Sequence, residues 1–334
     1  MKRLRILVAY NKPESEKTDR LDLISEAAVE EEASAVFQAV SEIGHEPIMM
    51  AIKDIEECLK DIHSLKPDLI FNLCEGYRGR ATLEMHMAGL WELLDISYTG
   101  NSPLTLGLSQ DKVLVKRLLE AKRIQTPAYQ VFSDIPADTS LSFPVIAKPS
   151  REDASLGITQ DSVVDSIEGL RGVVKKLLQK YRQPVLVEEF IAGREFNISL
   201  MGNSHPRVLA ISEIDFSMIE EGCHPITSYE AKWIENHPMY QKTPPVCPAR
   251  VDENLKNRLE DVAVQVYRLL RGRDYGRVDT RMDTEGRIFI LEFNPNPDIS
   301  RDAGFARAIK ADGLEYSHFI QTIIDEALGR RGYV

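Results

Sequence analysis

Residues 276–296, GRVDTRMDTEGRIFILEFNPN, constrain the fold more than any other stretch of the chain. Two runs of strand composition flank Glu285-Gly286, a pair suited to a two-residue hairpin loop. With that loop Thr284 faces Arg287, and counting outward sets Asp279 opposite Glu292 and Arg277 opposite Asn294. Side chains alternate along a strand, so these four project from one face, while Val278, Leu291 and Phe293 point into a core. Two carboxylates facing each other across a ladder repel unless something neutralises them. A hard divalent cation does so. Oxygens of Asp279, Glu292 and Asn294 suit Mg²⁺, with Mn²⁺ as a substitute, and phosphates and waters complete the shell. Arg277 then stands where it stabilises negative charge developing on a reacting oxygen. The competing reading is a solvated hairpin whose polar face meets only water. A three-residue loop would flip the parity of one strand and undo the register.

The chain of 334 residues is too long for one compact core and suits several packed lobes. Its first hundred residues alternate strand and helix signals. Residues 4–10 and 68–73 are apolar runs of strand length, while Ala33, Val36, Phe37 and Val40 repeat at helical spacing before Gly44, a C-cap residue. A helix over 82–94 precedes the SYTGNSP turn. This rhythm predicts a parallel sheet with helices on its faces. Near Gln110 the pattern changes to a helix over 111–124, then strands over 128–132, 144–148 and 185–190, with a helix over 164–180. From Glu195 strands dominate, and the proline-rich HPMYQKTPPVCPAR reads as loop. Asp252 caps a long helix running to Arg271; the hairpin and two terminal helices follow. The predicted class is mixed α/β and α+β, divided at 1–107, 108–186 and 187–334.

The net charge of −11 argues against a nucleic acid or an anionic membrane as partner. Cys58, Cys74, Cys223 and Cys247 are widely spaced and suggest neither a zinc site nor a disulfide framework, which points to the cytoplasm. MKRLRILVAY is too short in its apolar part for a signal segment and reads as the first buried strand.

LCEG and YTGN, then DK, VIAKPSREDASLG, VEEFIAGREF, YEAKW, GRVD and LEFNPNP stand together in one order. In that order they resemble the D-alanine–D-alanine ligases and the wider ATP-grasp superfamily, over essentially the whole chain. The resemblance implies an ATP-grasp fold, with 1–107 as the parallel α/β pre-ATP-grasp domain, 108–186 as the small lobe and 187–334 as the lobe carrying metal and catalytic residues. It implies ATP and two Mg²⁺ ions as cofactors. Lys112 and Lys148 would contact the phosphates, and Lys232 would reach them from the opposite lobe. Ser155 and Gly157 would lie in the loop that closes over them. Glu188, with Glu189, Phe190 and Ile191, would read adenine, and Glu195 would hold the ribose. Asp279, Glu292 and Asn294 match the metal ligands, and Arg277 matches the arginine that stabilises an acyl-phosphate and the tetrahedral intermediate. The implied reaction joins a carboxylate to an amine, with small amino acids or peptides as substrates and a homodimer as assembly. The apolar face of the first helices serves that contact or, equally, the core.

Departures from the family cluster where substrates are read. A serine and a tyrosine that orient the first D-alanine are replaced by Ala154 and Trp233, leaving the N-terminal carboxylate (Glu30, Glu31 or Glu32) without hydroxyl partners. LCEG replaces an LHG motif, making Glu75 and Gly76 candidate substrate contacts. NPNPDISRDAG replaces a glycine turn followed by serines. Asn296, Asp298, Ser300 and Arg301 are therefore the other candidates, and Asp298 suits an amine, a guanidinium or a cation unless it only bonds its own turn. The expected activity is ligation of substrates other than two D-alanines. The alternatives are a true D-alanine–D-alanine ligase of peptidoglycan synthesis, a non-catalytic ATP-binding regulator and a carboxylating ATP-grasp enzyme.

Overall fold

The computed structural model of the chain describes residues 2–12, 22–153, 155–234 and 236–330, with the backbone alone for 22–27. It begins with β1 (Arg5–Asn11), α1 (Asp22–Glu42), β2 (Glu46–Ile52), α2 (Ile55–Leu65) and β3 (Leu69–Asn72). The strands form a parallel sheet in the order β2-β1-β3. Ile6–Tyr10 are all buried, as a central strand covered on both faces requires. Neither β2 nor α2 was expected. Pro47 weakens the strand signal of EPIMMAI, and β2 tolerates it because it is the sheet edge. Asp54 starts α2 by accepting the N–H groups of Glu56 and Glu57. The apolar residues Val29, Ala33, Val36 and Val40 of α1 lie in the core against β1 and β3.

A short 3₁₀ turn over 81–83 leads into α3 (Glu84–Leu93), then α4 (Pro103–Gln110) and α5 (Lys112–Ala121). A second sheet contains β4 (Tyr129–Phe132), β5 (Val145–Pro149), β6 (Val163–Val164) and, after α6 (Ile167–Tyr181), β7 (Val185–Glu189). It is antiparallel, in the order β4-β7-β5-β6, and α6 packs on it through Leu170, Val174 and Leu177.

The third sheet has β8 (Gly193–Met201), β9 (Arg207–Val208) and β10 (Ser212–Ile214), followed by α7 (Tyr229–Trp233), α8 (Pro238–Lys242) and β11 (Pro245–Val246). After α9 (Glu253–Leu269) come β12 (Tyr275–Asp283) and β13 (Ile288–Asn294), and the path through the sheet is β11-β10-β8-β12-β13. The proline-rich stretch is thus not all loop. His237 caps α8 through Nδ1, Pro238 takes the first helical position where no N–H is needed, and Pro245 sits on the sheet edge. The chain ends in α10 (Gly304–Ala311) and α11 (Tyr316–Gly329). Phe319, Ile320, Ile323 and Ile324 of α11 share one core with Ile6, Val8 and Phe71, so the last helix closes the first sheet. No helix among the described residues is long and apolar enough to cross a membrane.

Candidate active site

β12 and β13 pair Arg277 with Asn294 and Asp279 with Glu292, but by a route the sequence did not suggest. The loop has three residues, 284–286: Asp283 N–H donates to Arg287 O at 3.0 Å, and Gly286 takes the left-handed φ of 78° that such a loop requires. Near the turn Met282 faces Ile288 and Thr280 faces Ile290, a register one residue off. A bulge between Asp279 and Thr280 leaves Leu291 unopposed and restores the original count. The expected placement of Leu291 in the core is therefore wrong. It lines the cleft, while Val278 and Phe293 stay in the core.

The polar face of this hairpin is charged and tightly bonded. Arg277 donates Nε and Nη2 to the two Asp279 oxygens at 2.7 and 2.8 Å, and Asn197 Nδ2 donates to Asp279 at 2.8 Å. Glu292 lies 3.5 Å from Lys112. Burial would raise the Glu292 carboxyl, but Lys112, Lys148, Arg277 and Lys232 bring it down to about 2. Asn294 Oδ1 accepts the Asn296 N–H at 3.0 Å and keeps a lone pair free. Hard oxygen donors side by side, among them a strongly acidic carboxylate, make a donor set that suits Mg²⁺.

Lysines approach this face from two elements. Asp111 caps α5, placing Lys112 in its first turn, where Nζ donates to Glu152 O at 2.5 Å and Asp153 at 2.9 Å. Burial opposes its charge, but Asp153 and Glu292 hold its pKa above the ordinary lysine value. Lys148 on β5 reaches Glu188 at 2.5 Å, and Lys116, one turn beyond Lys112, pairs with the other Glu188 oxygen and donates to Thr126 Oγ1 at 2.7 Å. Glu188 is only 1% exposed, its carboxylate clasped between two ammonium groups.

Beyond it, Glu189 gives its N–H to Ala128 O, Phe190 gives its N–H to Pro144 O, and the Ile191 carbonyl accepts from Arg281. Arg281 also lies over the Phe190 ring and holds Glu195, which accepts from Thr227 as well. Ala154 falls outside the described residues, but its neighbours are placed. Ser155 donates to Thr227 O at 3.1 Å, Ile158 O accepts the Tyr229 N–H, and Gln160 and His224 exchange two bonds. The loop is thus fastened to the segment leading into α7. Gly157 is required there twice over. Its φ is 79°, and a Cβ would fall 2.8 Å from Pro149. α7 carries Lys232, whose pKa is lowered by burial and then by Arg277.

At the segments expected to read substrate, Gly76 permits a turn that a Cβ would block at 2.7 Å from Arg80 O. Asn296 Nδ2 donates to Glu84 at 3.0 Å and to Cys74 O at 3.4 Å. Asp298 accepts the Ser300 N–H, and Ser300 and Asp298 both line the cleft. Arg301 is not brought there, because Glu42 and the Tyr316 ring draw it outward. Of the three N-terminal glutamates, Glu32 is the buried one and accepts the Ile299 N–H at 2.8 Å, while Glu31 lines the cleft. Burial, Asp153 and Glu75 push the Glu84 carboxyl up to about 8; burial and Asp298, against Lys232, put Glu75 at about 7.

Glu75 and Glu84 tie the stability of the fold to pH. Both groups ordinarily titrate at 4.5, so the folded chain holds protons that the unfolded chain has lost. The native state then binds more protons, and stability declines as pH rises from about 4.5 to 8. The ligand-free protein should melt lower at pH 8 than at pH 5.5, and Glu84→Gln should flatten that slope. A melting temperature that rises across the window would refute the account.

The cleft joining these groups has a volume of about 1280 Å³. Sequence reasoning missed several of its residues: Asn197, Ser109, Gln110, Glu84 and Leu291. Asn197 had a readable signal, since Glu195, Asn197 and Ser199 alternate on one face of REFNISL. Ser109 and Gln110 had none, because nothing in PLTLGLSQ marks the side that meets the cleft.

Two antiparallel sheets meeting over a cleft of lysines and hairpin carboxylates, with a parallel α/β unit beside them, define an ATP-grasp ligase. Residues 112–325 match the family model for the D-Ala–D-Ala ligase C-terminus. A D-alanine–D-alanine ligase of Aquifex aeolicus is 30% identical over 87% of this chain and 92% of its own length. The uncharacterized protein y4sG of Sinorhizobium fredii is 33% identical over 88% and 87%. The crystal structure of a D-alanine–D-alanine ligase from Bacillus anthracis complexed with ATP superposes with a TM-score of 0.77 at 18% identity, over 98% of this chain and 99% of that one, a likeness of fold. The chain belongs to the D-alanine–D-alanine ligase family, and it is an ATP-dependent ligase.

Proposed function

We propose that this enzyme joins a carboxylate to an amine through an acyl-phosphate, on amino-acid or peptide substrates other than two D-alanines. The hairpin face carries the reading: Arg277, Asp279, Glu292 and Asn294 stand together beside Lys112 in the cleft. Asp279, Glu292 and Asn294 would hold Mg²⁺, which supplies charge neutralisation to the ATP phosphates when bound. Lys112, Lys148 and Lys232 bind those phosphates, and residues 155–157 cover them. Glu188 to Ile191 and Glu195 serve the nucleoside. The substrate carboxylate oxygen attacks the γ-phosphorus and ADP leaves. The amine then attacks the acyl carbon, loses a proton and expels phosphate. Arg277 donates to the oxygen that gains charge in both steps. In this reading the chain divides at 107/108 and 186/187.

Altered substrates are supported at both ends: Trp233 stands in place of the tyrosine that orients the first D-alanine, and Asp298 in place of the family's glycine at the acceptor end. A carboxylate at 298 disfavours an incoming carboxylate. The test is phosphate release from ATP and Mg²⁺ with pooled amino acids and dipeptides, followed by mass analysis of the products. Formation of D-alanyl-D-alanine at ordinary ligase rates would refute the substrate reading.

A further inference from the structure

Glu75, Glu84 and Asp298 line the same cleft as Arg277 and Lys232. They come from three separate segments: the turn after β3, the first turn of α3 and the turn after β13. Asn296 ties these segments together by its bonds to Glu84 and Cys74 O. Asp153, Glu188, Glu195, Asp279 and Glu292 in this cleft each pair with a lysine or arginine. Among the described residues, Glu75, Glu84 and Asp298 pair with none. Lys232 and Arg277 act on Glu75 and Asp298 only from beyond ion-pair distance. Gathering carboxylates without an ion-pair partner is costly, and a binding site keeps such groups when its ligand supplies the missing sign.

The shape of the charge narrows the ligand. Among the described residues, no three acidic, histidine or cysteine side chains converge closely enough to hold a metal ion. The carboxyl groups are spread along a wall, which suits an extended organic cation with several N–H donors, whose charge would draw off the protons that Glu75 and Glu84 hold. A second observation comes from α4, which packs on α3. Ser109 and Gln110 line the cleft there at 4% and 9% exposure, and among the described residues the buried Ser109 Oγ and Gln110 Nε2 meet no partner. A hydroxyl can accept from an ammonium, and an amide N–H can donate to a carbonyl oxygen, so the pair offers polar recognition in the same cleft.

We infer that the amine substrate carries a second, fixed positive group, as a diamine or a basic amino acid does, and that Glu75, Glu84 and Asp298 hold it. The inference rests on the ligase reading above. The reacting amine lies toward Arg277, and the second cation anchors the molecule on the acidic wall, so the substrate is positioned by both ends.

The test separates binding from turnover. Calorimetry on the full-length enzyme with Mg²⁺ and a non-hydrolysable ATP analogue compares lysine, ornithine, arginine and cadaverine with norleucine and n-pentylamine. At least one dication should bind at least about tenfold more tightly than its matched neutral-tailed partner. Glu84→Gln and Asp298→Asn should each shrink that ratio, and together bring it near one. Gln keeps an oxygen for Asn296, so the fold is retained, and near-ultraviolet circular dichroism checks it. Norleucine binding as tightly as lysine, no dication binding at all, or a ratio untouched by both substitutions would overturn the inference. Dication binding without any amide product in the ligation assay would support it and count against the ligase reading instead.

Discussion

Replacing Asp279 with Asn is expected to lower turnover by about a thousandfold, the upper range for losing one preorganised charge contact in an active site. The side chain keeps its size, so the packing of β12 against β8 and β13 is unchanged. What changes is the charge. Asp279 now receives both arms of Arg277 and the amide of Asn197. An asparagine offers one acceptor and sets its own NH₂ against a donor, so Arg277 loses the bidentate grip that aims it. On the proposed reading a hard cation would also lose one of its two carboxylate ligands. ATP should still bind, because the groups proposed for the nucleoside lie on β7, β8 and the segment between them, and the Mg²⁺ concentration for half-maximal rate should rise. Phosphate release gives the rate, and calorimetry with an ATP analogue gives the affinity. A variant retaining more than about a tenth of wild-type turnover would remove Asp279 from the machinery and favour a chain that binds ATP without using it.

That site was legible in the sequence for a reason that was partly accidental. The pairing of Asp279 with Glu292 was obtained from a two-residue loop. The structure has a three-residue loop and a bulge at Leu291, and the two shifts of one residue cancel. Loop length and bulges depend on local backbone geometry that residue types signal weakly, whereas alternation of polar and apolar side chains signals the face strongly. The same contrast runs through the fold. β1 was readable as an apolar run of strand length, and α5 and α9 because apolar periodicity and a capping aspartate agree. β2 and α8 were not, because prolines hide elements that tertiary packing stabilises, whereas α2 was missed although Asp54 and the spacing of Ile55, Cys58 and Ile62 signal it. Side-chain partners distant in sequence were the least legible. Nothing in NPDISR shows that Arg301 turns to Glu42, and nothing in VEEF shows that Glu188 lies between Lys116 and Lys148.

Glu188 should therefore govern stability as much as nucleotide binding, and Glu188→Gln is expected to cost about 3–5 kcal/mol of unfolding free energy. Lys116 is fully buried and Lys148 nearly so. Burial lowers the pKa of Lys116, and the Glu188 carboxylate counters that effect. Burial would likewise raise the carboxyl, yet the two lysines hold it below its ordinary value. Each charge is tolerable only because of the others. Glutamine fills the same space and still accepts one hydrogen bond, but it leaves two ammonium groups in a dry site with no negative charge. Denaturant unfolding at pH 7 measures the loss, and a cost below about 1 kcal/mol would mean the carboxylate is not the counter-charge. Two further results separate charge from packing. Pairing Glu188→Gln with Lys116→Met removes one stranded cation and should recover much of the stability, since uncharged replacements of similar volume are well tolerated where buried ion pairs stood. If Lys148 meets a phosphate as proposed, saturating Mg²⁺ and ATP should recover part of the loss in Glu188→Gln, because the phosphate would bring Lys148 the negative charge it has lost.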